Sequence, residues 1–133
     1  MNKKFFISTA VLFVVTMALG FFVHGFLLHA DYAQLPNLFR TEEDSKQYFA
    51  FMLAAHVIMS GALVWIYRRG KEDKPFLSQG LRFGLAVALL CTIPLYLIYY
   101  AVQPMPGIFV AKQITFETAS MLGVGVVVAW LEK

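Results

Sequence analysis

An all-α integral membrane protein, built as a four-helix bundle, is the fold class this sequence predicts, and three observations predict it. Apolar residues make up 59% of the 133 residues and charged ones only 14%, against about a quarter charged in an ordinary soluble domain. The apolar residues gather in four runs, over about 5–28, 46–68, 80–100 and 108–131. Each run is long enough to cross a hydrocarbon layer of about 30 Å at about 1.5 Å per helical residue. Between the second and third runs lies a polar hinge, Arg68 to Arg82, that carries five of the eleven Lys and Arg residues. Basic residues beside spans stay on the cytoplasmic side, so the hinge implies two spans before it, two after it, and both termini in the cytoplasm. The whole chain, 1–133, reads as one four-span domain.

The first run follows Met1-Asn2-Lys3-Lys4, a start that also suits a secretory signal with Ala18-Leu19-Gly20 as small residues near a cleavage point. Its apolar stretch from Phe5 to Leu28 exceeds the roughly 7–15 residues of a signal core, which predicts an uncleaved first helix. Thr9, Thr16, Gly20 and His24 recur on one side of that helix. Small and polar side chains on one side normally face neighbouring helices, because they let backbones approach in lipid. His29 to Asn37 is then a polar outer loop ending in a Pro-Asn turn signal.

Thr41 followed by Glu42, Glu43 and Asp44 predicts a helix start, since a threonine hydroxyl can accept from a first-turn N–H and carboxylates suit the positive end of the helix dipole. That helix is expected to run unbroken past Tyr48 and His56 to Arg69, with Gly70 as a left-handed C-cap. Ser78 is the expected cap of the third helix, whose residues Gly80, Gly84, Ala88, Thr92, Tyr96 and Tyr100 recur every fourth position as a packing seam. Pro94 should bend it, since proline lacks an N–H and clashes with the carbonyl four residues back. Gln103 to Gly107 is a turn, and the fourth helix follows with its own small row, Thr115, Ala119 and Gly123.

Under this topology Lys3, Lys4, Arg68, Arg69, Lys71, Lys74, Arg82 and Lys133 lie inside, while Arg40, Lys46 and Lys112 lie outside. Trp65 and Trp130 fall at the inner boundary and Tyr96, Tyr99 and Tyr100 near the outer one, as aromatic belts require. Pro36-Asn37-Leu38-Phe39 also matches Pro106-Gly107-Ile108-Phe109, and Ala62 to Trp65 matches Val127 to Trp130. The matches fit either two repeated helical hairpins or chance similarity among apolar segments with shared turn and belt chemistry.

Three ionisable side chains fall within the runs: His24, His56 and Glu117. At about 1.5 Å per residue they lie roughly 6, 12 and 10–13 Å below the outer boundary. A charge at mid-span costs on the order of 2.5–3.5 kcal/mol on insertion scales, so Glu117 should face protein or a water-filled cavity. It serves either as a proton or cation site with the two histidines, or as a structural hydrogen-bonding group for a residue such as Tyr96. His56 shares a side with Met52, Met59 and Ser60, which suits a packed core histidine. Methionine and imidazole also suit copper, and two histidines on different helices could ligate haem b. The single cysteine, Cys91, sits in an apolar run and reads as a small packed hydrophobe.

The segments Val64 to Gly70 and Pro94 to Tyr100, with the turn Pro104-Met105-Pro106-Gly107, resemble a group of small four-helix bacterial inner-membrane proteins of unknown function. That resemblance spans nearly the whole chain and implies an inner-membrane location, but no activity or ligand. Small multidrug transporters are similar in size, yet carry their membrane glutamate in the first helix, where this chain has none.

The net charge of +3 is accounted for by topology rather than by nucleic acid. No Gly-Xaa-Ser-Xaa-Gly, HExxH or phosphate-loop pattern occurs. The sequence therefore favours a non-enzymatic protein without a cofactor, an accessory subunit or small channel or sensor, whose surroundings are the lipid bilayer and a membrane-protein partner or a second copy of itself.

Overall fold

The computed structural model describes residues 2–133, and helices account for all the regular structure among them. Four helical stretches are long and apolar enough to cross a membrane: Lys3–Leu27, Phe49–Gly70, Phe76–Val102 and Gly107–Leu131. The chain divides into two compact units, the first ending at Leu63 and the second running from Val64 to Lys133.

In the first unit, helix α1 (Lys3–Gly20) starts where the Asn2 side chain accepts from the Phe5 amide at 3.1 Å. Its buried residues, Phe5, Ser8, Leu12 and Thr16, recur every third or fourth position on one side. Of the expected small row only Thr16 is buried, and Thr9, Gly20 and His24 flank that side, half-buried. The helix then widens into a π-helical segment, Phe21–Leu27, closed by the Leu28 amide on the Val23 carbonyl at 2.9 Å. A short helix α2 (His29–Ala33) follows, so the polar segment expected to be a loop is partly helical.

Helix α3 (Glu42–Lys46) begins as expected, with Thr41 Oγ1 accepting from the Asp44 amide at 3.2 Å and three acidic residues in the first turn. It does not run on unbroken. The amides of Gln47, Tyr48 and Phe51 bond carbonyls three residues back, tightening the backbone out of α geometry before helix α4 (Phe49–Gly70) starts.

In the second unit, the end of α4 departs from expectation. No glycine among the described residues has positive φ, so Gly70 is not a left-handed cap. The helix instead carries on its bonding, Lys71 amide to Tyr67 carbonyl at 2.9 Å. Helix α5 (Phe76–Val87) starts after Pro75, with no side-chain cap. Ser78 lies inside its first turn and donates back to the Pro75 carbonyl at 3.1 Å, so it is not the cap and the helix begins at Phe76 rather than at 80.

A π-helical segment, Ala88–Thr92, links α5 to helix α6 (Ile93–Val102). Pro94 stands one turn after Leu90, and widening the preceding turn relieves the clash its ring would make with that carbonyl. Helix α7 (Gly107–Leu131) packs against α5. A methyl group added at Gly80 would lie 2.6 Å from Val126 Cα, and one added at Gly84 would lie 2.8 Å from Leu122 Cα. These glycines are required by backbone contact. The matching small residue on α7 is Gly125, where an added methyl would lie 2.8 Å from Gly84 Cα. The expected row Thr115, Ala119 and Gly123 is exposed instead, and nothing lies within 4 Å of a methyl built at Gly123.

Candidate functional site

Polar groups in the first unit are concentrated where α1 meets α4. Thr16 Oγ1 receives three contacts: the Phe13 carbonyl at 3.1 Å, His56 Nδ1 at 3.0 Å and Ser60 Oγ at 3.4 Å. A threonine hydroxyl has one hydrogen to give and two lone pairs to offer. With that hydrogen on the Phe13 carbonyl, both Ser60 and His56 must donate to Thr16, which places a proton on His56 Nδ1. Thr16 and Ser60 are fully buried, at 3% and 0% exposure, and His56 is half-buried. Gly20 lies beside this group, where an added methyl would make ordinary contact with the His56 ring at 3.7 Å.

His24 sits in the π-helical segment, and its Nδ1 is 2.7 Å from the Tyr32 hydroxyl. That segment and α2 fold back enough to bring together two side chains eight residues apart. The Tyr32 ring in turn meets Phe39 edge-on at a centroid distance of 4.7 Å. The two histidines thus bond separate hydroxyls. Neighbouring charges in the same unit are exposed pairs: His29 with Glu42 at 3.4 Å, Arg40 with Asp44 at 2.8 Å and Lys46 with Glu43 at 3.0 Å. The Asp44 carboxylate and the Tyr48 ring, 3.7 Å below the guanidinium, hold Arg40 above its ordinary pKa. An open cleft of about 470 Å³ is lined by Pro36, Asn37, Phe39, Arg40, Thr41 and Asp44, and none of His24, His56 and Glu117 lines it.

Glu117 and Tyr96 belong to the second unit, both half-buried and both with partners. Glu117 lies four residues after Gln113 and three before Ser120, which puts it on the side of α7 that those two buried residues share. This is opposite the exposed Thr115, Ala119 and Gly123 row. Among the described residues no group of three or more His, Cys, Asp or Glu side chains is placed to hold a metal ion.

A second polar constellation, not singled out from the sequence, ties the ends of α4 and α7. The Glu132 carboxylate, 2% exposed, accepts from Arg68 Nε at 2.9 Å and from its terminal nitrogen at 3.0 Å. Lys71 Nζ donates to the Glu132 carbonyl at 2.8 Å, supplying one of the bonds a helix C-terminus lacks. Nearby, Lys74 pairs with Glu72 and holds that carboxyl below its ordinary value of 4.5. The available signal was a lone acid at the end of an apolar run, facing a hinge with five basic residues.

Together these features define an all-α chain with four helices apolar enough to cross a membrane, carrying a hydrogen-bonded cluster of Thr16, His56 and Ser60 between two of them. No family model, no curated protein and no solved structure matches the chain.

Proposed function

We propose that this chain is a four-span protein of a bacterial inner membrane, with both termini in the cytoplasm and its spans packed as an antiparallel bundle. It works without catalytic chemistry, as an accessory subunit that binds a membrane-protein partner through its helix faces. The observation that carries this reading is the distribution of surface. Large apolar side chains point outward along every span, among them Phe26 (72% exposed), Phe51 (74%), Leu90 (78%) and Ile108 (69%), whereas outside the spans only the segment 28–48 is longer than a few residues. In such a chain almost all surface able to recognise anything is span surface, and association there rests on packing of small residues and a few hydrogen bonds. The exposed Thr115, Ala119 and Gly123 row on α7 supplies small residues that the chain's own packing leaves unused.

Extraction in mild detergent tests this. The tagged chain should migrate in a complex larger than its own 15.0 kDa, with a second membrane protein in constant ratio. A lone monomer under all extraction conditions would overturn the accessory-subunit reading.

A further inference from the structure

The three acids that open α3 differ in what holds them. Asp44 is paired with Arg40 at 2.8 Å and Glu43 with Lys46 at 3.0 Å, side chains that stay cationic at any ordinary pH. Glu42 is paired with His29 of α2, whose Nδ1 lies 3.4 Å from Glu42 Oε1, and histidine is the one side chain whose ordinary titration falls between pH 5 and 8. That separation is longer than the roughly 2.7–3.2 Å of an N–H···O hydrogen bond, so attraction across it rests on charge. An imidazole is charged below about pH 6.5 and a carboxyl above about pH 4.3, and such an ion pair exists only between the two. Both side chains are open to solvent, at 58% and 82% exposure, so protons reach them freely.

The pair closes a loop whose two sides are each folded locally. On the first side the amides of Leu38 and Phe39 bond the Leu35 carbonyl, and the Phe39 ring meets Tyr32 of α2 edge-on. On the second side Thr41 caps α3, and the Arg40 guanidinium lies over the Tyr48 ring, 3.7 Å from its centroid. The cleft takes walls from both, Pro36, Asn37 and Phe39 from the first and Arg40, Thr41 and Asp44 from the second. The contact between His29 and Glu42 thus ties one wall to the other. The other charges around it are Asp31 on α2, itself engaged, and the two pairs Arg40 with Asp44 and Lys46 with Glu43 at α3. Carboxyl, lysine and arginine side chains ordinarily hold their charge from pH 5.5 to 8, so His29 is the group here that changes over that range.

We propose that His29 and Glu42 form a pH-sensitive clasp between α2 and α3, which holds the walls of the cleft together at mildly acidic pH and releases them above about pH 7. The clasp lies outside the four apolar stretches and depends neither on a membrane partner nor on which terminus faces which side. By the usual strength of an exposed ion pair, losing it shifts the ratio of closed to open forms by about 1.5- to 5-fold.

Two nitroxide labels test this, placed by Ala33→Cys and Ser45→Cys at exposed positions on α2 and α3. The full chain in detergent carries them with Cys91→Ala, so that no other thiol is labelled. Dipolar broadening then reports the separation of the two helices, and the closely coupled fraction should be larger at pH 5.5 than at pH 8, with the closed-to-open ratio differing by about 1.5- to 5-fold. His29→Gln and Glu42→Gln should each give the same ratio at both pH values, close to that of the labelled parent at pH 8. His29→Lys, cationic at both, should keep the pH 5.5 ratio throughout. A labelled parent that does not change between the two pH values would overturn the proposal. So would a pH dependence that survives either glutamine substitution, or a His29→Lys chain that still opens at pH 8.

Discussion

At the scale of single residues, the first unit depends on one hydroxyl. Thr16 accepts from His56 and Ser60 while giving its hydrogen to the Phe13 carbonyl. Valine has nearly the same shape but no lone pairs, so Thr16→Val removes an acceptor from the buried Ser60 hydroxyl and from the half-buried His56 ring. In membrane proteins such contacts couple by about 0.6 kcal/mol on average and reach about 1.7 kcal/mol. We expect Thr16→Val to destabilise within that range. His56→Ala should add less when combined with Thr16→Val than it costs alone, as measured by detergent-titrated unfolding of the four proteins of the cycle. Strict additivity would remove the coupling. His56 and Ser60 stood out in the sequence because they share a helix side, and Thr16 because it belonged to a row of small residues. Their meeting could not be read there, since it joins positions 40 and 44 apart, and local periodicity carries no information about which side of one helix meets which side of another.

At the scale of elements, the contact between α5 and α7 turns on glycines whose missing methyl groups are filled by backbone. A side chain can swing away from an intruding methyl, but the backbone at Leu122 and Val126 cannot without moving its helix. Gly84→Ala should therefore destabilise by about 1–3 kcal/mol, the usual range for overpacking. Gly123→Ala, in open space on the same helix that carries Gly125, should be neutral or stabilising by up to about 1 kcal/mol, because alanine restricts the unfolded chain and favours helix. Parallel thermal unfolding in detergent checks both, and equal effects would show that the two helices do not approach as described. The spacing of Gly80, Gly84 and Ala88 made their side of α5 readable in advance. The α7 side was misread because small residues recur on two of its sides: Gly123 and Gly125 differ by about 200° around the axis, and hydropathy cannot choose between them. Pro94 similarly predicted a disturbance in the third span without revealing that the backbone would answer by widening a turn.

At the scale of the whole molecule, two independent arguments bear on topology. Charge gives one: eight basic residues would lie on the side of the hinge and three on the other, a bias that orients a polytopic chain through its short loops. Geometry gives the other. The bidentate contact of Arg68 with Glu132 and the bond from Lys71 to the Glu132 carbonyl put the C-terminal end of α7 beside the C-terminal end of α4. Two charged segments in direct contact cannot be on opposite sides of a bilayer, so in the proposed four-span arrangement the hinge and Lys133 share a side, whatever its identity. The charge bias is the support for the proposal that this side is the cytoplasmic one. Reporter fusions separate the two arguments. A reporter active only in the periplasm should be silent at Lys74 and at Lys133 and active at Glu43, which stands in the capped first turn of α3. Activity at both Lys74 and Lys133 with silence at Glu43 would invert the orientation and defeat the charge argument while leaving the fold intact. Opposite behaviour at Lys74 and Lys133 would be more serious, because the contact between Arg68 and Glu132 could not then form, and the pairing of α4 with α7 would fall with it.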